Sequence, residues 1–359
     1  MLQCSMNGSA INRPPKPLNL ALQGGGSHGA LTWGVIDRLL DEPRIEIAEI
    51  SGTSAGAMTA VVVAAGFERA GREGARRALA EFWRAVSDAA LLSPLQRSPI
   101  DRMLGRYSLD HSLGYLMMDW LSRSFSPYDL NPLGLDPLRR ILEAQVDFAR
   151  VNRCEGIKVH VTATHVRTGR ARIFSRGEVT ADAVMASACL PQMHRAVEID
   201  GEEYWDGGFS ANPALMPLIV SRTSPDIVIV QINPIVRHDT PRSARDIMNR
   251  INEISFNTSL IKELRAINLM QQLLVRHDVD IGPAGQTYIH LIHADAEVQE
   301  LSASSKLNVE WDYLRLLFER GRGWADAWLG ANFDRLGRES TFDLDDWFKD
   351  PMPRHEGGS

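Results

Sequence analysis

Residues 18–56 run twice through one arrangement: a short apolar stretch, a glycine-marked turn and a helical stripe. Leu18 to Leu22 reads as a strand and meets Gly24-Gly25-Gly26 abruptly. Leu31, Val35, Ile36, Leu39 and Leu40 then fall on one face of a helix. Residues 45–50 alternate like a half-buried strand, Gly52 breaks the run, and Ala55 to Ala65 is small and apolar enough for a buried helix. Strand, turn and helix repeated in this way predict an α/β fold built on a parallel sheet.

The remainder of the chain fits the same class. Residues 1–17 are rich in Ser, Asn and Pro and read as a flexible tail without the apolar stretch of a signal peptide. Residues 69–90 read as a polar-faced helix, and residues 91–135 as an irregular helical insertion. Strands are expected at 157–166 and 170–175, a helix at 180–189, and a hairpin over 196–205 turning at Asp200-Gly201. An apolar strand at 227–232, a long helix at 243–275, a strand at 287–293 and helices over 297–349 complete the reading.

Composition narrows the function classes. At 359 residues and 44% hydrophobic content the chain can bury a core without disulfides or metal. A net charge of −6 and the lack of a long Lys/Arg run exclude the basic balance of a nucleic-acid protein. Cys4, Cys154 and Cys189 form no C-x-x-C pair, so no zinc or redox site is expected, and a cytoplasmic location fits best. No run of eighteen apolar residues is present, so no membrane span is expected; peripheral membrane contact stays open.

Three turns carry the chemical signal: Gly24-Gly25-Gly26-Ser27-His28-Gly29, Gly52-Thr53-Ser54-Ala55-Gly56 and Asp206-Gly207-Gly208. The first satisfies G-x-G-x-x-G, which raises a dinucleotide site. That site also needs an acid at the end of the second strand, where this chain has Ser51 and Gly52; Asp41 and Glu42 precede the strand instead. What the loop does offer is converging backbone N–H groups, able to hold a phosphate or the oxyanion of an ester intermediate.

The second turn is G-x-S-x-G between a strand and a helix, the pattern of a nucleophile elbow with Ser54 exposed at the helix start. A serine needs a base. His238, His277, His290, His293 and His355 follow in the chain without distinctive flanks, and His290 and His293 read as structural. Asp206, where a hairpin runs into Gly-Gly, is the other candidate, since a carboxylate within hydrogen-bond reach can take the serine proton directly.

The three turns, in this order and with Asp206 about 150 residues beyond Gly56, resemble the patatin-like phospholipases over roughly 18–213. Leu20 to Gly26, Ser187-Ala188-Cys189-Leu190-Pro191 and Asp206 to Pro213 carry the likeness most specifically. The resemblance implies a three-layer α/β/α fold around a mostly parallel sheet. It implies Ser54 as nucleophile, Asp206 as proton acceptor, and an oxyanion hole around Gly25 and Gly26. It implies no cofactor and no metal. Where the family commonly has Arg or Lys, this chain has His28.

On that basis residues 18–296 form a catalytic domain with the insertion at about 91–135. Residues 297–359 form a helical extension that packs on the core, a homodimer contact being the alternative. Leu91, Leu92, Leu95, Met117, Met118 and Trp120 are candidates for the wall or lid of an acyl groove. The expected substrate is a lipid or other acyl ester, with no nucleic-acid partner. Two other classes compete: a non-catalytic lipid-binding or regulatory protein on the same fold, and a dinucleotide-binding oxidoreductase.

Overall fold

The apolar run before the first glycine turn is strand β1, Lys16–Leu22. It begins two residues inside the expected tail because Lys16 is tethered, its ammonium donating to the carbonyls of Phe333 and Leu336 at 3.0 and 2.8 Å. The computed structural model describes residues 14–349 except 92, 132–133, 135, 238, 278–281, 283–285, 294–296 and 299–300. Most of the expected tail, Cys4, Leu92, His238, His355 and the end of the extension therefore lie outside the described residues.

Helix α1, Gly29–Asp41, leads to β2, Ile45–Thr53, and then α2, Ala55–Ala89. The two helices expected at 55–65 and 69–90 thus join into one element, broken where Ala70 and Gly71 leave helical geometry. The insertion holds the short helices α3, Pro99–Met103, α4, Leu113–Ser124, and α5, Pro127–Leu130. Helices α6, Pro137–Gln145, and α7, Phe148–Arg153, return the chain to β3, Lys158–His165, and β4, Ala171–Phe174. Helix α8, Ala181–Ser187, precedes the hairpin of β5, Val197–Ile199, and β6, Glu202–Asp206. Then come α9, Met216–Ser221, β7, Asp226–Val230, α10, Ala244–Arg276, β8, Tyr288–Ile292, α11, Trp311–Asn332, and α12, Leu344–Lys349.

The described strands form one sheet in the order β5-β6-β3-β2-β1-β7-β8, with β4 also on β3. β1, β2, β3, β7 and β8 run parallel, whereas β4, β5 and β6 pair antiparallel. Alternation sorts the sheet's two faces. Leu20, Leu22, Val228 and Val230 pack with α1, α2 and α11, and Ala21, Ile227 and Ile229 pack with α9, α10 and α12. This is the three-layer arrangement.

β2 departs from simple alternation. Glu49 is fully buried. β2 is a central strand covered on both sides, and Glu49 is accommodated by Lys158 at 3.0 Å and His160 at 3.4 Å.

The extension is integral to the core. Leu314, Leu317 and Phe318 are buried, and the Phe318 ring lies 4.2 Å from that of Trp33. At the crossing the backbones nearly touch: a Cβ on Gly34 would strike the Phe318 carbonyl, and one on Gly321 the Leu31 carbonyl. The insertion is the opposite case, with Met103 and Leu113 each 81% exposed.

The crossing makes a direct prediction. Gly321→Ala forces α1 and α11 apart and should destabilise the whole domain by about 1–3 kcal/mol. Gly323→Ala, which meets no atom within 4 Å, should be neutral or slightly stabilising. Equal urea midpoints for the two variants would contradict this account of the packing.

Candidate active site

Ser54 follows the last residue of β2 and opens α2. Its φ of 57° and ψ of −123° lie where a side chain is strained. The flanking glycines explain why only this pattern fits. A Cβ on Gly52 would strike the Gly56 carbonyl, and one on Gly56 the Leu22 carbonyl at the end of β1. The turn is held from outside, since the Ser54 N–H donates to Ser187 Oγ at 2.8 Å.

Strand register brings Asp206 to the same place. Residues 161–164 of β3 pair with β4 along one edge. The other edge is shared in sequence: Thr53 of β2 pairs with Thr162, and Asp206 of β6 with Ala163. The ends of β2 and β6 therefore abut on consecutive residues of β3. Gly207 completes the junction, because a Cβ there would strike the Thr162 carbonyl and meet Thr53 Cγ2 at 3.0 Å. Asp206 is anchored by its N–H on the Cys189 carbonyl at 2.8 Å and by its own carbonyl, which accepts from Thr164 Oγ1 at 2.8 Å.

The Asp206 side chain is fully buried. Oδ1 accepts from the Gly208 N–H at 2.7 Å. Oδ2 has no hydrogen bond of good geometry, yet the Ser54 hydroxyl stands near enough to pull on the carboxyl's pKa. Burial dominates and pushes Asp206 up to about 7, against the opposing pull of the Gly208 N–H, the Ser54 hydroxyl and the charge of Lys306. A carboxyl poised there can accept a proton near neutral pH. Cys189 beside it is pushed up to about 12, by burial and then by Asp206, and remains a thiol.

The glycine loop closes over Ser54. A Cβ on Gly24 would lie 2.6 Å from Ser54 Cβ, so only glycine permits the approach. The Gly24 N–H is taken by Asn212 Oδ1 at 2.7 Å, and its carbonyl accepts from Asn233 Nδ2 at 2.6 Å. The next two amides, Gly25 and Gly26, have no backbone or side-chain acceptor among the described residues. Gly29 packs against Ala55, where a Cβ would sit 2.9 Å from Ala55 Cβ. The Ser27 hydroxyl donates to the Ser305 carbonyl at 2.8 Å.

His28 is buried and bonded through Nε2 to Ser305 Oγ at 2.8 Å. Because Ser305 Oγ itself donates to the Ser302 carbonyl, Nε2 carries the proton. Burial, then the charges of Lys306 and Arg237, hold His28 well below the usual histidine range, so the ring is neutral. His28 thus docks the loop onto residues 302–306 and brings no charge.

Among the described residues no histidine hydrogen-bonds to Ser54 or Asp206. His290 is buried between Asp226, 2.9 Å from Nε2, and Thr341, 3.0 Å from Nδ1, which agrees with a structural role. Ser51 and Gly52 stand where a dinucleotide site needs an acid, and the hydroxyls of Ser51 and Thr53 there donate to the carbonyls of Ala214 and Ala211. Among the described residues no group of three or more His, Cys, Asp or Glu could hold a metal ion. A cavity of about 600 Å³ between β8 and α11 includes neither Ser54 nor Asp206 in its lining.

Four residues around the site escape a reading of the turns alone: Ser187, Asn212, Asn233 and Lys306. Ser187 and Asn212 lie within phrases that mark the family resemblance. Asn233 and Lys306 carry no local signal.

The sequence matches the family model described as patatin-like phospholipase over residues 20–219, more than half of the chain. The protein belongs to that family, which places it among the lipid hydrolases. No curated protein matches at a significant level. Among solved structures it is similar to VipD from Legionella pneumophila, at 15% identity and a TM-score of 0.35, covering 86% of this chain and 67% of that one. It is also similar to full-length ExoU of Pseudomonas aeruginosa, solved with SpcU, at 14% identity and a TM-score of 0.30. That match covers 86% of this chain and 53% of ExoU, so the chain spans about half the length of that effector.

Burial of Asp206 has a consequence for stability. With its folded pKa near 7 and an ordinary value in the unfolded chain, Asp206 destabilises the fold increasingly as pH rises between those limits. Asp206→Asn should therefore raise the unfolding free energy at pH 8 by about 2–3 kcal/mol more than at pH 5. An equal effect at both pH values would show that the carboxyl is not desolvated as described.

Proposed function

We propose that this protein is a serine lipid acyl hydrolase in which Ser54 is the nucleophile, Asp206 the proton acceptor, and the Gly25 and Gly26 amides the oxyanion hole. The observation that carries the reading is the shared β3 edge, where strained Ser54 and buried Asp206 meet beneath the glycine loop.

In the first half-reaction Asp206 takes the Ser54 proton as Oγ attacks the ester carbonyl. The two loop amides hold the oxyanion. Collapse breaks the ester C–O bond, and Asp206 returns the proton to the departing alcohol, leaving an acyl-serine. In the second half-reaction Asp206 takes a proton from water as that water attacks the acyl carbonyl, and then reprotonates Ser54 as the carboxylic acid leaves. The start of α2 adds its dipole to the stabilisation of charge at Ser54.

A water-insoluble substrate needs an apolar approach. Phe209, just past Asp206, is partly exposed and packs edge-on to Phe256 of α10 at 5.1 Å. Ile247, Ile251 and Ile254 are exposed on α10, and Leu113, Met117 and Trp120 stand exposed on α4. These residues support peripheral contact with a lipid surface, with α4 as the candidate lid. Among the described residues no helix is long and apolar enough to cross a membrane.

A fluorophosphonate probe should label the protein, and Ser54→Ala should abolish both labelling and hydrolysis across a panel of lipid esters. Turnover that survives this substitution would remove the assignment. Asp206→Asn should lower kcat by about two orders of magnitude or more. In the wild type, kcat/KM should rise with pH through an acid limb near 7, as Asp206 loses its proton. A limb near pH 4 would mean that some other group, or a solvated carboxylate, is the base.

A further inference from the structure

His28 leaves the glycine loop without a charge of its own, and a cation reaches the loop from elsewhere. Lys306 lies in the 3-10 turn Ser304–Leu307, about 280 residues beyond the loop it faces. Its carbonyl caps the turn, since a Cβ on Gly26 would lie 2.5 Å from it. Its ammonium donates to Asn233 Oδ1 at 2.8 Å, and Asn233 Nδ2 in turn donates to the Gly24 carbonyl at 2.6 Å. Among the described residues the ammonium has no carboxylate within ion-pair distance. The nearby acid Glu253 is already held by Arg237 at 2.6 Å and Arg250 at 3.1 Å. A half-buried Lys306 whose ammonium has one neutral hydrogen-bond acceptor and no ion-paired carboxylate among the described residues leaves a positive charge beside a site where negative charge must form.

We propose that Lys306 is the positioning residue that supplies the positive charge of the active site and locks the glycine loop through Asn233. This rests on the Ser54–Asp206 reading and adds to it. The ammonium acts at a distance on the oxyanion that forms under Gly25 and Gly26. Through Asn233 it also fixes the Gly24 peptide, which sets where the two following amides point.

The electrostatics are consistent with this placement. Lys306 is pulled below the usual lysine range by burial; Glu253 and Asp206 favour its charge, and Arg237 opposes it. Its charge holds down the pKa of Asp206. The other groups facing Asp206 are the Ser54 hydroxyl, the Gly208 N–H and the Cys189 thiol, none of them a cation. The neutral ring of His28 faces Lys306 and adds no charge.

The test compares Lys306→Gln, Lys306→Arg and Asn233→Ala with Ser54→Ala on a neutral ester substrate across pH 5–9. K306Q should lower kcat about 10- to 100-fold with KM changed less than about threefold. It should also move the acid limb of kcat/KM upward by several tenths of a pH unit, because Asp206 loses a stabilising charge. K306R should recover most of kcat and return the limb to its wild-type position. N233A keeps the charge but cuts the link to Gly24, so kcat should fall about fivefold or more while the limb stays in place. A folded K306Q enzyme with wild-type kcat and an unmoved limb overturns the proposal. So does a rise in KM alone, which would assign the ammonium to binding a ground-state anion. If K306Q does not fold, N233A decides, and wild-type kcat in that variant overturns the proposal. Throughout, an inactive S54A enzyme shows that the serine reading stands whatever Lys306 does, whereas an active one removes that reading first.

Discussion

The candidate site depends on the edge of β3 that is shared end to end by β2 and β6. Strand pairing is a rigid ruler, with about 3.3 Å per residue along the strand and about 4.8 Å between strands. Once Thr53 pairs with Thr162 and Asp206 with Ala163, the two strand ends have no freedom to drift apart. Neither Ser54 nor Asp206 has to be held by a flexible loop. The hydroxyls of Ser51, Thr53 and Thr164 then stitch residues 206–214 along the strand ends.

Both side chains are held in unfavourable states. A non-glycine residue at positive φ costs about 1–3 kcal/mol, and a desolvated carboxyl resists ionisation. The surrounding structure makes these states tolerable. Ser187 holds the Ser54 amide, Cys189 holds the Asp206 amide, and both belong to the short stretch at the end of α8. One segment thus braces both members of the pair, which gives a physical reason for the phrase Ser187-Ala188-Cys189-Leu190-Pro191 to stand out in the sequence.

Legibility in the sequence followed the range of the constraint. Glycines were readable because each answers a local steric demand: Gly52 and Gly56 inside the elbow, Gly24 against Ser54, Gly207 against β3. The parallel sheet and the hairpin were readable from apolar runs between such turns. Where tertiary contacts decide, the pattern misled. Glu49 is a charged residue in the middle of a central strand and is buried against Lys158 and His160, partners that lie over a hundred residues away. Lys16 looks like part of a tail and is fixed by carbonyls more than 300 residues away. Asn233 and Lys306 have no distinguishing neighbours in sequence, and only the packing of the extension against the glycine loop reveals them.

The roof of the glycine loop comes from residues 302–306 and is therefore made after every element it covers. During synthesis the loop, the elbow and the aspartate all emerge from the ribosome before Ser305 and Lys306 do. A nascent chain holding the sheet and both members of the pair still lacks the surface that docks His28 and covers Gly26. A site built in this way is finished only as the fold closes.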